Sequence, residues 1–168
     1  PSSNMMLSSG IARIKELEAA GSPVGLGVDG SASNDSSNMV QEVRQAMYIQ
    51  RLRYGSSEVS HFDAYRWATK GGAELLGRED IGTIEVGKAA DLAIFKLDEL
   101  RFSGAHDPLA ALLLCGAHQA DAVMVNGQWR VRDGELVDQD QKKIMEQHMR
   151  AAEKIAGSAL ISDRTGYA

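Results

Sequence analysis

The sequence predicts an α/β chain: the C-terminal part of a β/α barrel, then a small β module, then a long helix. Three observations lead there. The apolar run Val24-Gly25-Leu26-Gly27-Val28 ends in Asp29 and opens into a polar stretch from Gly30 to Asn38, the pattern of a buried strand that delivers one carboxylate into a loop. Helical spacing lies on both sides of that strand, yet the chain holds far too few strands to close a barrel alone. Past residue 80 the pattern changes to short apolar segments separated by Asn-Gly and Asp-Gly pairs, which are hairpin signals.

Each element has its own warrant. Ile11, Ile14, Leu17 and Ala20 space out one helical face that stops at Gly21, and Ser22-Pro23 turns the chain into the strand over 24–28. Asn38 is a good helix N-cap with Gln41 three residues on, and Val40, Val43 and Met47 mark the buried face of a helix expected to run to Tyr54 before Gly55. A second helix begins at Ser60, paired with Asp63, and is expected to continue unbroken to Gly77. Buried strands are expected over 91–97 and 121–125. Asn126-Gly127 then returns the chain through 128–132, and Asp133-Gly134 turns it again. Between those strands, 107–114 reads as a helix with Pro108 in its first turn. Ile144, Met145, Met149, Ala152 and Ile155 lie on one face of a helix over about 138–156. The tail, 162–168, has no pattern and is expected to be mobile. The boundaries that follow are 1–80 for the barrel end, 81–137 for the β domain and 138–168 for the helix and tail.

Composition excludes several classes. With 168 residues, 43% hydrophobic, the chain can bury one ordinary core or two small ones. A formal net charge of −5 and 5% aromatic residues argue against nucleic acid or anionic membrane as partners. No apolar stretch is long enough to span a bilayer, and no basic-then-apolar leader opens the chain, so a cytoplasmic location is expected. Cys115 follows Leu112-Leu113-Leu114 and is expected to be a buried structural thiol. Pro1-Ser2-Ser3-Asn4 reads like the middle of a loop, so the chain is expected to be a piece of something longer.

Asp29 is the residue most worth following. An aspartate at the C-terminal end of a barrel strand can bind a hard or borderline cation, or take a proton from an attacking water. Its bland alternative is a capping or turn aspartate. Ser33 and Asn34 share its loop and are candidate substrate contacts, although Ser/Asn loops more often hydrogen-bond their own backbone. Asp107 before Pro108 reads as a helix cap rather than half of a His106–Asp107 pair. Lys88 lacks the Gly-x-x-x-x-Gly-Lys cradle of a phosphate site.

Four stretches together resemble the C-terminal third of the amidohydrolase superfamily, in its branch of cytosine, guanine, 8-oxoguanine and pterin deaminases and triazine hydrolases. Pro1-Ser2-Ser3-Asn4 with Leu7 and Ser9-Gly10 resembles the loop after the seventh barrel strand. Gly27-Val28-Asp29-Gly30 with Ser33-Asn34 resembles the end of the eighth. Gly82 through Leu92, containing Gly87-Lys88-Ala89-Ala90-Asp91-Leu92, resembles the entry to the accompanying β domain, and Val125-Asn126-Gly127 with Asp133-Gly134 its closing hairpins. The run from Val28 to Asp35, followed by Glu42-Val43-Arg44-Gln45 and His106-Asp107-Pro108, looks most like 8-oxoguanine deaminases, with isoxanthopterin deaminases next.

The resemblance implies a (β/α)8 TIM barrel with a small β-sandwich domain and one divalent metal ion, zinc first and iron second. It implies hydrolytic loss of ammonia from a purine or pterin ring, with Asp29 touching the metal and relaying the proton. The partners it implies are a small heterocyclic substrate, the rest of the barrel and further copies of the same chain. The family's metal-binding histidines and the glutamate that protonates the ring belong to earlier strands and are not among these residues; His61, His106, His118 and His148 fall at helix or module positions. This segment alone is therefore expected to be inactive. Displacement of chloride or an alkylamine from a triazine is the alternative chemistry, and a non-catalytic scaffold or oligomerisation piece the alternative class.

Overall fold

The structure is a computed structural model that describes residues 1–116 and 119–163, with side chains up to 157. His118 and most of the expected tail (164–168) lie outside the described residues. The first half is helical: α1 (Ser2–Met6), α2 (Ile14–Ala19), α3 (Met39–Tyr54), α4 (His61–Ala68) and α5 (Lys70–Leu75). Strand β1 (Leu92–Ile94) and helix α6 (Pro108–Leu114) follow, then β2 (Ala122–Val125), β3 (Gln128–Arg132), β4 (Glu135–Leu136) and the long α7 (Gln141–Asp163). Among the described residues no helix is long and apolar enough to cross a membrane.

Local chemistry sets several boundaries where the sequence places them. Asn38 Oδ1 accepts the Gln41 N–H at 3.0 Å and starts α3, which stops at Gly55 with φ 104°. Ser60 and Asp63 form a reciprocal capping box: Ser60 N–H donates to Asp63 Oδ2 at 2.8 Å and Asp63 N–H donates to Ser60 Oγ at 3.2 Å. Burial pushes the Asp63 carboxyl up, but the Ser60 hydroxyl and N–H bonds outweigh it and hold it below the ordinary aspartate value. A carboxyl depressed in the folded state adds stability above its unfolded pKa of about 3.9, and that contribution is lost as pH falls through the lower folded value. Ser60→Ala is expected to cost about 1 kcal/mol at neutral pH and to weaken this acid dependence, as urea unfolding at pH 7 and pH 3 would read.

The core lies between α3 and α4. Val43, Ala46, Met47, Val59, Ala64 and Trp67 are buried there with Ile14 of α2 and Leu113 of α6. Val24 and Leu26 pack against its edge. A smaller cluster, Phe102, Ala111 and Leu112 with Phe95 and Leu97, joins α6 to the segment after β1. The four strands form an antiparallel meander in the order β1-β2-β3-β4. Asn126 and Gly127 have φ 48° and 75°, and Asp133 and Gly134 51° and 77°, the left-handed pairs that tight hairpins require. The Gly-Lys-Ala-Ala-Asp segment locks onto the first hairpin: Asn126 N–H donates to Asp91 Oδ1 at 2.6 Å and Gly127 N–H to the Ala90 carbonyl at 3.1 Å. Lys88 pairs with Glu85 at 3.3 Å.

Five expectations need correction. The run over 24–28 has no ladder partner among the described residues, so it is not a strand here; its one backbone tie to a helix is Leu26 N–H to the Trp67 carbonyl at 3.2 Å. The helix from Ser60 breaks at Thr69 (φ −120°, ψ −90°), which brings Gly71 and Gly72 of α5 against Val24 and Gly25. Strand β1 is short, and its Ile94 is 45% exposed rather than buried, with that face uncovered among the described residues. Cys115, the C-cap of α6, is exposed rather than buried; Leu113 takes the core position on that helix. Helix α7 runs through Ser162 to Asp163, beyond the expected end near 156.

Candidate active site

Asp29 closes the 24–28 segment in an unusual conformation. Its φ is +63°, a left-handed value that costs a non-glycine residue roughly 1 kcal/mol and that aspartate tolerates better than most. The side chain is exposed. Oδ1 accepts the Gly30 N–H at 2.8 Å, and no lysine or arginine pairs with the carboxylate among the described residues. Oδ2 is left without a hydrogen bond there. An exposed carboxylate with one oxygen outside any protein hydrogen bond is free to bind a cation or accept a proton.

The loop that follows is built rigidly. Gly30 O accepts the Ser33 and Asn34 N–H groups, both at 3.1 Å. Asn34 is 5% exposed, and its amide nitrogen donates to the Val28 carbonyl at 2.8 Å and to Glu42 Oε1 at 3.0 Å. Ser36 Oγ donates to Asn34 Oδ1 at 3.1 Å. Ser33 Oγ lies 2.8 Å from Ser3 Oγ, which ties the loop to α1. The structure thus brings Asp29, Ser33, Asn34 and Ser3 together, whereas the Asn4 amide turns to Ser9 Oγ at 3.3 Å.

Glu42 is the residue that sequence reasoning missed. It is completely buried on α3, where Oε2 accepts the Ser2 N–H at 2.9 Å and where Ser2 Oγ donates to Oε1. The available signal was its place on the stripe formed by Val43, Ala46, Met47 and Gln50, where a charged residue is out of keeping with its neighbours.

The described histidines, His61, His106 and His148, lie elsewhere. His61 Nε2 lies 3.1 Å from Asp107 Oδ2 at the starts of α4 and α6, without hydrogen-bond geometry. Asp107 also caps α6 by accepting the Ala110 N–H at 3.0 Å, the main reason its carboxyl sits below the ordinary value. His106 and His148 are exposed. Among the described residues no group of three or more His, Cys, Asp or Glu is placed to hold a metal ion. Asp29 thus has no set of candidate ligands grouped with it among the described residues.

Beside the 24–27 segment runs an apolar groove lined by Ile11, Ile14, Leu17, Ile49, Gln50 and Leu75 among others. Gln50 donates to the Ala12 carbonyl at 3.2 Å, while its buried Oε1 has no donor among the described residues.

Comparison with known proteins adds independent findings. Residues 1–130 match the amidohydrolase family. The chain is 61% identical over 162 residues to an 8-oxoguanine deaminase from Pseudomonas aeruginosa, covering 96% of this chain and 35% of that protein. An adenosine deaminase structure from Xanthomonas campestris with bound zinc superposes with a TM-score of 0.86 at 32% identity, covering 94% of this chain and 36% of that one. An atrazine chlorohydrolase structure from Arthrobacter aurescens, complexed with zinc, superposes with a TM-score of 0.82 at 35% identity, covering 89% and 34%. The chain spans about a third of the length of the curated relatives it matches.

Proposed function

The chain belongs to the amidohydrolase family, and from that premise we propose that it is the C-terminal portion of a metal-dependent hydrolase that deaminates a purine or pterin ring, 8-oxoguanine first among them. The observation that carries this reading is Asp29, left-handed, exposed and without a cationic partner, in a segment 61% identical to an 8-oxoguanine deaminase. Residues 1–80 form the barrel end in this reading, 81–137 the small β domain and 138–168 the terminal helix and tail. A cytoplasmic location and association between copies belong to the same proposal.

Asp29 suits a divalent cation as one hard oxygen ligand, with zinc favoured over iron because two structural neighbours carry zinc. When bound, such an ion lowers the pKa of water to about 7 and so supplies a nucleophile at neutral pH. Gly30 N–H holds Asp29 Oδ1, and Oδ2 is the oxygen that would bind the cation and accept a proton from an attacking water. Of the two protons of the added water, one would reach the departing amine through Asp29 and the other the ring nitrogen through a group outside these residues, so that the C–N bond breaks, ammonia leaves and the carbonyl forms. Ser33 and Asn34 form the wall of the site beside Asp29, Ser33 presenting its hydroxyl and Asn34 bracing the loop through its buried amide. The apolar groove and the unpaired Gln50 Oε1 support docking of the rest of the barrel along 24–27, where neighbouring strands would supply the missing ladder bonds.

The test is a substrate panel on the full-length, metal-loaded enzyme. Ammonia release from 8-oxoguanine faster than from isoxanthopterin is expected. Turnover of a chlorinated triazine alone would replace this reading with the second, which the atrazine chlorohydrolase neighbour favours. Chelation is expected to abolish activity and zinc to restore it; restoration by iron but not zinc would reassign the metal.

A further inference from the structure

We propose that Glu42 is a positioning residue for Asp29, acting through the Asn34 amide on the peptide that enters Asp29. The inference rests on the role given to Asp29 above.

The linkage is short and complete. Glu42 Oε1 accepts one hydrogen of the Asn34 amide at 3.0 Å, and the Val28 carbonyl accepts the other at 2.8 Å. That carbonyl belongs to the Val28–Asp29 peptide, whose plane is one side of the φ torsion of Asp29. Glu42 therefore holds Asn34, Asn34 holds the peptide, and the peptide holds Asp29 at φ +63°, a value that an aspartate leaves readily when nothing restrains it. Release would let the carboxylate leave the position from which it would bind a cation and accept a proton, and a misplacement of about 1 Å can cost on the order of 100-fold in rate.

Only a carboxylate satisfies this node. The groups facing Glu42 include two N–H donors, Ser2 N–H on Oε2 and the Asn34 amide on Oε1. A glutamine in the same place must turn its NH2 toward one of them and so loses a hydrogen bond whichever way it is oriented. The Ser2 hydroxyl adapts, because Gln45 Oε1 offers it another acceptor at 2.6 Å. The same carboxylate fastens the Ser2 segment to the loop after Asp29, so two separate segments share one anchor. An apolar residue would fill the volume but could not hold either segment.

The experiment uses the full-length enzyme loaded with zinc, with kcat expressed per metal-loaded site. Glu42→Gln is expected to lower kcat per metal-loaded site about 10- to 100-fold with KM little changed, and to weaken metal binding. Asn34→Ala is expected to lower kcat by a similar factor, and it serves alone should Glu42→Gln not fold. The double variant is expected to lose no more than the worse single, because both break one linkage; independent structural defects would multiply instead. Wild-type kcat per site in Glu42→Gln, or multiplied losses in the double variant, overturns the positioning role. Should Asp29→Ala also retain activity, the reading of Asp29 itself fails; should Asp29→Ala be inactive while Glu42→Gln is normal, only the role of Glu42 does.

Discussion

In the full-length, zinc-loaded enzyme, Asp29→Asn is expected to lower kcat by about 1,000-fold or more while the fold stays intact. Positioned proton transfer alone contributes roughly 100- to 10,000-fold, and this substitution removes a charged oxygen beside the cation as well. Asparagine is the sharper probe than alanine because it tolerates φ near +63° and keeps an oxygen for the Gly30 N–H, so that charge is the main thing lost. Asp29→Ala is expected to lose as much turnover with a small added cost in stability, since alanine is poorly suited to a left-handed backbone. The measurement is steady-state ammonia release with metal content determined on the same samples. More than a tenth of wild-type activity in either variant contradicts the role assigned to Asp29.

The largest effect on stability is expected at Gly71. A Cβ placed there would sit 2.1 Å from the Val24 carbonyl oxygen, and backbone cannot give way as a flexible side chain can. Gly71→Ala is therefore expected to destabilise by about 3 kcal/mol, through separation of α5 from the segment that carries Asp29. The neighbouring Gly72→Ala is the control. Its added Cβ meets nothing nearer than the Trp67 carbonyl at 4.0 Å, so the change is expected to be neutral or stabilising by up to about 1 kcal/mol. Urea unfolding of the two variants separates these outcomes, and equal midpoints would show that the close approach at Gly71 carries no weight.

Much of the helical layer was legible because its signals are local. Asn38 and Gly55 bound α3, Ser60 and Asp63 open α4, and Asp107 with Pro108 opens α6, each by a hydrogen bond or a φ constraint within a few residues. The same holds for the hairpins, where Asn126-Gly127 and Asp133-Gly134 specify left-handed turns on their own. What escaped depends on distant contacts. The break at Thr69 accompanies packing of Gly71 against Val24, 47 residues earlier in the chain, and no spacing rule within α4 and α5 announces it. The 24–28 run and β1 carry strand-like sequence, but whether either is laddered or covered depends on segments that must lie against them. In the site, Asp29 stood out because apolar residues lead into it and small polar ones lead away. Glu42 did not, because its partners Ser2 and Asn34 meet it only once three separate segments have folded together.

The most direct measurement is the position of the Asp29 carboxylate in a crystal structure of the full-length, metal-loaded enzyme, with the ion located by its anomalous scattering. The expected result is an Asp29 oxygen about 2.0–2.2 Å from a zinc ion whose other ligands come from earlier barrel strands. An Asp29 carboxylate turned to solvent or paired with a surface arginine, with the ion bound out of its reach, would contradict the proposal.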